Sequence, residues 1–338
     1  MTLKKIIYQP LKLFPYSYAA DDIYLKDTWL ARHKENFNTV FIGSSHVFRQ
    51  FETPLFDSLI RFGEQPVKSF NYGIQGLAAS ELFYLSDHLV KKNPAIKYLM
   101  IELTKITFPD HVNLHTTRMF YWYNYQTYLF TLKAIFDSKN TNFPLKGAIA
   151  TMHTIGLIDK CLNFGFISDI NNFYSRNEKV KNKISSMSTY NGFAPRKEIY
   201  PKQSDTNGIN IRSKASAEQF QKYENNPELL KNYNKEYLIK INEIINDYSK
   251  KGIQVIFVIA PRADKDQYDE VIPLLAQIDA RNKIEIADSR KYPEFYSLDN
   301  SADQTHLNKK GSRIFTTVLA NEFNKLVETN SSEKNLSQ

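Results

Sequence analysis

Cysteine is almost absent: Cys161 is the only one in the chain. A single cysteine excludes an internal disulfide framework and leaves no multi-cysteine zinc site. It is expected to be buried as a small hydrophobe. Long apolar runs are absent too; nothing approaches the roughly 18–20 residues that a helix needs to span a bilayer. Near the start, Lys4 and Lys5 precede Ile6 and Ile7, but Gln9, Pro10 and Lys12 interrupt the apolar core that an export signal requires. By these features the chain reads as cytoplasmic. A weakly amphipathic surface-binding segment over residues 3–18 is one reading of that stretch, and a packed or frayed terminus is the plainer one. Dense basic blocks are also missing. Arg176, Lys179, Lys181 and Lys183 are separated by Asn177, Glu178, Val180 and Asn182. No helix-turn-helix, finger or aromatic–basic strand motif stands out, so no specific nucleic-acid partner is expected. No internal repeat is seen. The net charge of +8 then leaves a membrane surface, an acidic polymer, or nothing beyond solubility as its meaning.

What is present is a core. The chain has 338 residues, 42% of them hydrophobic, which suits one large α/β domain carrying an insertion. Residues 39–42 form a short apolar strand broken by Gly43-Ser44-Ser45. A helical or irregular stretch follows at 53–62. Residues 67–71 read as a second strand ended by Gly73 and Gly76. Ala78, Leu82, Leu85 and Leu89 repeat at helical spacing, and Pro94 follows that helix. Residues 98–103 are a third strand, apolar except for Glu102. Leu230, Tyr233, Tyr237, Ile241, Ile244 and Tyr248 step by three and four, and Gly252 closes that helix. Residues 254–259 are a β-branched fourth strand. A helix over 265–279 has Pro273 as kink or boundary. Residues 284–287 are a fifth strand ending at Asp288. A last helix spans 309–327, with Phe315, Leu319, Phe323 and Leu326 on one face. The tail after Glu328, and 331–338 in particular, is expected to be disordered. Strands alternating with helices imply a parallel sheet, whose sites form beyond its carboxyl edge.

The middle differs. Residues 110–135 are rich in aromatics, among them Trp122, Tyr123, Tyr125 and Tyr128. Residues 165–225 are polar, with turn signals at Asn191-Gly192, Pro195 and Asn207-Gly208. Residues 107–225 therefore read as an insertion of helix and loop, either a lid or a surface excursion packing its aromatics on the core. Residues 1–330 are taken as one domain around it.

Two short motifs carry chemistry. Gly43-Ser44-Ser45-His46 ends the first strand; Asp303-Gln304-Thr305-His306 precedes the last helix. Serine catalysis needs a hydroxyl, a base and an acid that orients the base. Asp303 and His306 can supply the last two from one turn. A serine hydroxyl of the Gly43-Ser44-Ser45 turn would sit near a helix N-terminus, where free N–H groups stabilise an oxyanion. A third segment, Asn71-Tyr72-Gly73-Ile74-Gln75-Gly76, follows the second strand, where its glycines allow close approach of backbone N–H groups.

Together these blocks resemble the SGNH (GDSL-type) hydrolase superfamily. The resemblance covers residues 38–103 and 253–327. Ser45 matches that family's nucleophile, Gly73 its second-block oxyanion donor, and Asp303 and His306 its Asp-x-x-His. Gly-Ser-Ser in place of Gly-Asp-Ser resembles a branch that includes the D-alanyl transfer protein of teichoic-acid operons and other partners of membrane-bound O-acyltransferases. The resemblance implies a three-layer α/β/α sandwich with a parallel sheet of about five strands. It implies a serine esterase or O-acyltransferase acting on small acyl esters of a carbohydrate or cell-surface polymer, with no cofactor and no metal. It also implies a membrane-surface or membrane-acyltransferase partner, and a location outside the cytoplasm that the missing export signal contradicts. One block departs: the third strand runs Met100-Ile101-Glu102-Leu103-Thr104-Lys105, without the Gly-x-Asn-Asp whose Asn completes the oxyanion hole. Either backbone groups suffice, or another residue serves, or catalysis is weak or absent. A glycan- or partner-binding protein without turnover is thus the competing class, and thioester hydrolysis a narrower one.

Asn71, Ser44 and His46 join Gly73 as candidate oxyanion or substrate contacts. Ser44 is a rival nucleophile and Asp288 a rival acid. Asp110, His111 and His115 contain a histidine pair at helical spacing, with no further metal ligand near it.

Overall fold

The computed structural model describes residues 20–33, 36–61, 66–106, 114, 118–139, 141–162, 187, 189–196 and 203–336. The strands are β1 (Thr39–Gly43), β2 (Ser69–Gly73), β3 (Tyr98–Glu102), β4 (Gln254–Ile259) and β5 (Lys283–Glu285). They lie in the order β2-β1-β3-β4-β5, and every pairing is parallel. This is the flavodoxin-like doubly wound order, with the chain reversing direction across the sheet at β1 and β3.

Strands of this kind are buried on both faces, which is why they read as apolar runs. Alternate side chains serve opposite layers. Val40, Ile42, Leu99, Ile101, Val255 and Phe257 join one core. It is completed by α1 (Ala20–Arg32), α4 (Ala79–Lys92), α9 (Lys235–Ser249) and α10 (Lys265–Ala276). Phe41, Met100, Ile256 and Val258 join the other, against α2 (Ser45–Gln50), α3 (Thr53–Leu59) and α11 (Lys309–Leu336). The fold is a three-layer α/β/α sandwich.

Between β3 and β4 lie α5 (Met119–Trp122), α6 (Tyr125–Asp137), α7 (Phe143–Leu162) and α8 (Gln203–Asn225). Trp122 and Tyr123 are buried with Leu114 and Met119 in a small core of their own. The Tyr123 hydroxyl meets Nδ1 of His153 at 2.9 Å. Burial pushes that imidazole down to about 4, so it is neutral at pH 7. The Trp122 and Tyr123 rings are packing.

Several expectations are corrected. The turn expected at Asn207-Gly208 is helix, inside α8. Gly208 serves close packing instead, because a Cβ there would meet Oε1 of Gln304 at 2.3 Å. Asn191-Gly192 is a turn, with φ of 47° and 87°. The second strand ends at Gly73 rather than 71, which puts Asn71 inside it. Leu230 and Tyr233 precede α9, because the Asn234 side chain caps that helix by accepting the Tyr237 N–H at 2.9 Å. Cys161 is exposed on the outer side of α7, not buried. The tail is not disordered after Glu328: α11 runs to Leu336, and residues 328–336 hold no glycine or proline to stop it. The segment 3–18, the basic residues from Arg176 to Lys183, and Asp110, His111 and His115 lie outside the described residues. Among the described residues no helix is long and apolar enough to cross a membrane.

Candidate active site

Ser45 is the first residue of α2, at the carboxyl end of β1. His306 lies in the loop before α11, 261 positions away, and its Nε2 is 2.8 Å from Ser45 Oγ. On the other side of the ring, Nδ1 is 3.0 Å from both carboxylate oxygens of Asp303. A ring proton on Nδ1 faces Asp303 and leaves Nε2 to accept from the Ser45 hydroxyl. The Thr305 hydroxyl lies 2.8 Å from Asp303 Oδ1 and 2.8 Å from His306 Nδ1. The N–H groups of Thr305 and His306 donate to the same Oδ1 at 2.8 Å each. The carboxylate is thus fixed by its own turn before it meets the imidazole.

Burial would raise the Asp303 carboxyl, but the hydrogen bond and charge of His306, and the Thr305 bonds, hold it far below the ordinary carboxylate range. His306 is lowered. Burial is the largest cause; His46 and Arg196 add to it, and Asp303 opposes it. The result is a neutral base beside a charged acid.

Arg262, which the sequence reading did not single out, organises this loop from behind. It follows β4 with φ of 67° and is wholly buried. Its guanidinium donates to the carbonyls of Asp303 and His306 at 3.1 Å each, to the Phe295 carbonyl, and to Ser301 Oγ at 2.6 Å. Its own carbonyl accepts from Arg212 of α8 at 2.7 Å.

The Gly43-Ser44-Ser45-His46 turn has a second unexpected partner. Glu102, at the end of β3, accepts from the Ser44 N–H at 2.5 Å and the Ser44 hydroxyl at 3.0 Å, and its Oε1 is 3.1 Å from His46 Nδ1. Gly43 makes room for it, since a Cβ there would meet Glu102 Oε2 at 2.5 Å. The Ser44 hydroxyl also caps α2 by accepting the His46 N–H at 3.2 Å. An acid interrupting an apolar strand at its carboxyl end was the available signal. Ser44 is therefore spent on the turn. The His46 ring centre lies 5.6 Å from that of His306. Its Nε2 is buried without a hydrogen-bond partner among the described residues.

Asn71 is corrected from a substrate contact to a structural tie. It is wholly buried, and its amide donates to the Val47 and Phe51 carbonyls at 2.7 and 2.9 Å. Its Oδ1 accepts the Gly73 N–H at 2.9 Å. That N–H, expected to face an oxyanion, is therefore engaged. Gly73 allows β2 to press on α2, because a Cβ would meet the Phe48 backbone N at 2.2 Å. Replacing Gly73 with Ala is expected to destabilise the fold by about 1–3 kcal/mol through that overpacking, read from urea denaturation midpoints. An unchanged midpoint would show that α2 can move away.

The insertion reaches the site along the edge of β2. The Asn71 N–H donates to the Asn191 carbonyl at 2.8 Å, and Ala194 N–H to Phe48 O at 3.1 Å. Buried Lys26 ties the Asn71 and Gly192 carbonyls at 2.7 and 3.0 Å. Arg196, next along this segment, lies 3.2 Å from Asp303 Oδ2. Asp288 is elsewhere: its carboxylate binds the Arg290 guanidinium at 2.7 Å and does not serve His306.

Among the described residues no group of His, Cys, Asp and Glu could hold a metal ion. A cavity of about 760 Å³ opens at the amino ends of β3 and β4, lined by Lys97, Gln254 and Arg281, away from Ser45. Comparison with protein-family models found no match, and comparison with curated proteins found none.

Proposed function

We propose that the protein is a serine esterase or O-acyltransferase of the SGNH hydrolase type, acting on small acyl esters of a carbohydrate or surface polymer. One observation carries the reading: Ser45, His306 and Asp303, from opposite ends of the chain, stand in a hydrogen-bonded relay of 2.8 and 3.0 Å. The acyl size and the carbohydrate class rest on the sequence resemblance alone.

His306 Nε2 takes the Ser45 proton as Oγ attacks the ester carbonyl. Asp303 holds the ring in the Nδ1–H tautomer and stabilises the imidazolium. The Ser45 N–H, first in α2, has no acceptor within the helix and is the oxyanion donor of this scheme. The imidazolium then protonates the leaving alkoxide. Water or a sugar hydroxyl, deprotonated by His306, resolves the acyl-enzyme and regenerates Ser45.

A fluorophosphonate probe tests this directly. Intact mass is expected to show one adduct on the native chain and none on Ser45→Ala. No adduct on either would remove the activated serine from the scheme. The competing reading, a glycan- or partner-binding protein without turnover, draws on the engaged Gly73 N–H. Loss of one oxyanion donor is worth about 10²–10³ in kcat. An adduct without hydrolysis of any acetylated sugar would favour it.

Activity also has an expected pH dependence. The base must be neutral, so kcat/KM rises as His306 loses its proton. Because His306 is lowered, that limb has its midpoint below the ordinary imidazole value of about 6.5. Arg196 is one of the lowering charges, so Arg196→Ala is expected to move the midpoint upward. A midpoint that stays in place, or falls, would remove Arg196 from the electrostatics of the base.

A further inference from the structure

The α6–α7 hairpin presents an outer surface that the triad chemistry does not use. Along α7 the exposed positions Pro144, Ala148, Thr151, Ile155, Ile158 and Leu162 step by three and four, so they form one stripe, and none is charged. Ile155 is 45% exposed, Ile158 50% and Leu162 55%, and Phe143 at the start of the helix is 76% exposed. The opposite side holds Ile149, His153 and Gly156, buried in the protein. A surface helix carries charge on its solvent side; one that is apolar all round is covered all round. On α6, Tyr125, Leu129 and Phe136 are exposed at the same helical spacing. The Lys146 Nζ bond to the Phe136 carbonyl, 2.8 Å, joins the end of α6 to the first turn of α7, so these exposed side chains belong to one hairpin.

We propose that this hairpin docks on the surface of a lipid bilayer carrying anionic headgroups. Its charges select that occupant. Its exposed charged side chains are Lys133 and Lys139, both basic, whereas Lys146, Lys160, Asp137 and Asp159 are half-buried. The Asp137 carboxylate is turned toward the N–H groups of Lys235 and Glu236 at the start of α9. The exposed charge of the hairpin is therefore basic, on a chain of net charge +8. A second copy would bring like charges together; anionic headgroups complement them. The 20 residues of α7 extend about 30 Å. With no described helix apolar enough to cross a membrane, α7 lies along the surface with its stripe at the headgroup–acyl boundary, and the exposed Lys133 and Lys139 lie among the headgroups.

The test is co-sedimentation of the full chain with vesicles of phosphatidylcholine alone and of phosphatidylcholine with phosphatidylglycerol. Binding to the anionic vesicles is expected, weakened by salt, and reduced more than about tenfold in Ile155→Asp/Ile158→Asp. Both side chains are about half exposed, so the variant should keep the native far-ultraviolet circular dichroism and thermal midpoint. Lys133→Glu/Lys139→Glu, at the two exposed lysines, should lose the preference for anionic vesicles while keeping the fold. The proposal is overturned if the native chain binds neither vesicle, or if the folded Asp variant binds as well as the native chain. A dimer in sedimentation velocity that the same Asp substitutions dissolve, without vesicle binding, would assign the face to a second copy.

Discussion

Ser45→Ala, His306→Ala and the double substitution are each expected to lower kcat by a similar factor, on the order of 10⁶. The reason is geometric. The hydroxyl is a nucleophile only while Nε2, 2.8 Å away, can take its proton. The imidazole has no covalent task once the hydroxyl is gone. Two groups that act as a unit do not add. Asp303→Asn is expected to cost less, about 10⁴. It leaves the Arg262 contact to the residue 303 carbonyl in place but presents an amide to Nδ1, and so favours the wrong tautomer. The measurement is hydrolysis of an activated acetyl ester by each purified variant. Turnover retained in Ser45→Ala would end the acyl-enzyme scheme. Single losses that multiply in the double variant would mean that Ser45 and His306 act in separate steps.

The parts of the fold that were legible are those set by local pattern. β1, β3 and β4 are apolar runs because both faces of a parallel strand are covered, and such runs survive any tertiary context. The helix over 79–92 shows the same plainness, with Leu82, Leu85 and Leu89 turned to one core. His306 and Asp303 were readable because they share one turn at a helix boundary, whereas Ser45 was separated from Ser44 only by the resemblance. The oxyanion side was not readable. Asn71 and Gly73 have the right residue types beside the right strand, but whether an amide points to substrate or into the protein depends on what packs behind it. Here that is the carbonyl pair of Val47 and Phe51. The partners of Glu102 and Arg262 were hidden for a related reason. Each is a charge whose partners lie far away in the chain: Glu102 is 58 positions from Ser44 and Arg262 is 41 from Asp303. No local spacing encodes such pairs.

Arg262 has the largest expected effect on stability. Arg262→Met is expected to destabilise the fold by about 3–5 kcal/mol. The shape of the stem is kept, but the carbonyls of Phe295, Asp303 and His306 and the Ser301 hydroxyl lose their donor in a site without solvent. The guanidinium itself is pushed down to about 10, first by burial and against the pull of Tyr296 and Asp303, so it stays charged at pH 7. Arg262→Lys is expected to recover only part of the loss, because an ammonium has three donors and no planar fork. Backbone conformation supplies an internal control. At φ of 67° a side chain carries strain that glycine does not. Arg262→Gly is therefore expected to be more stable than Arg262→Ala by about 1 kcal/mol, although both lose the clamp. Urea midpoints rank the four variants. If Met is tolerated and Gly equals Ala, Arg262 neither holds the loop nor strains the backbone. If the ranking holds, fluorophosphonate labelling should slow in the same order, because His306 reaches Ser45 only from a loop that Arg262 keeps in place.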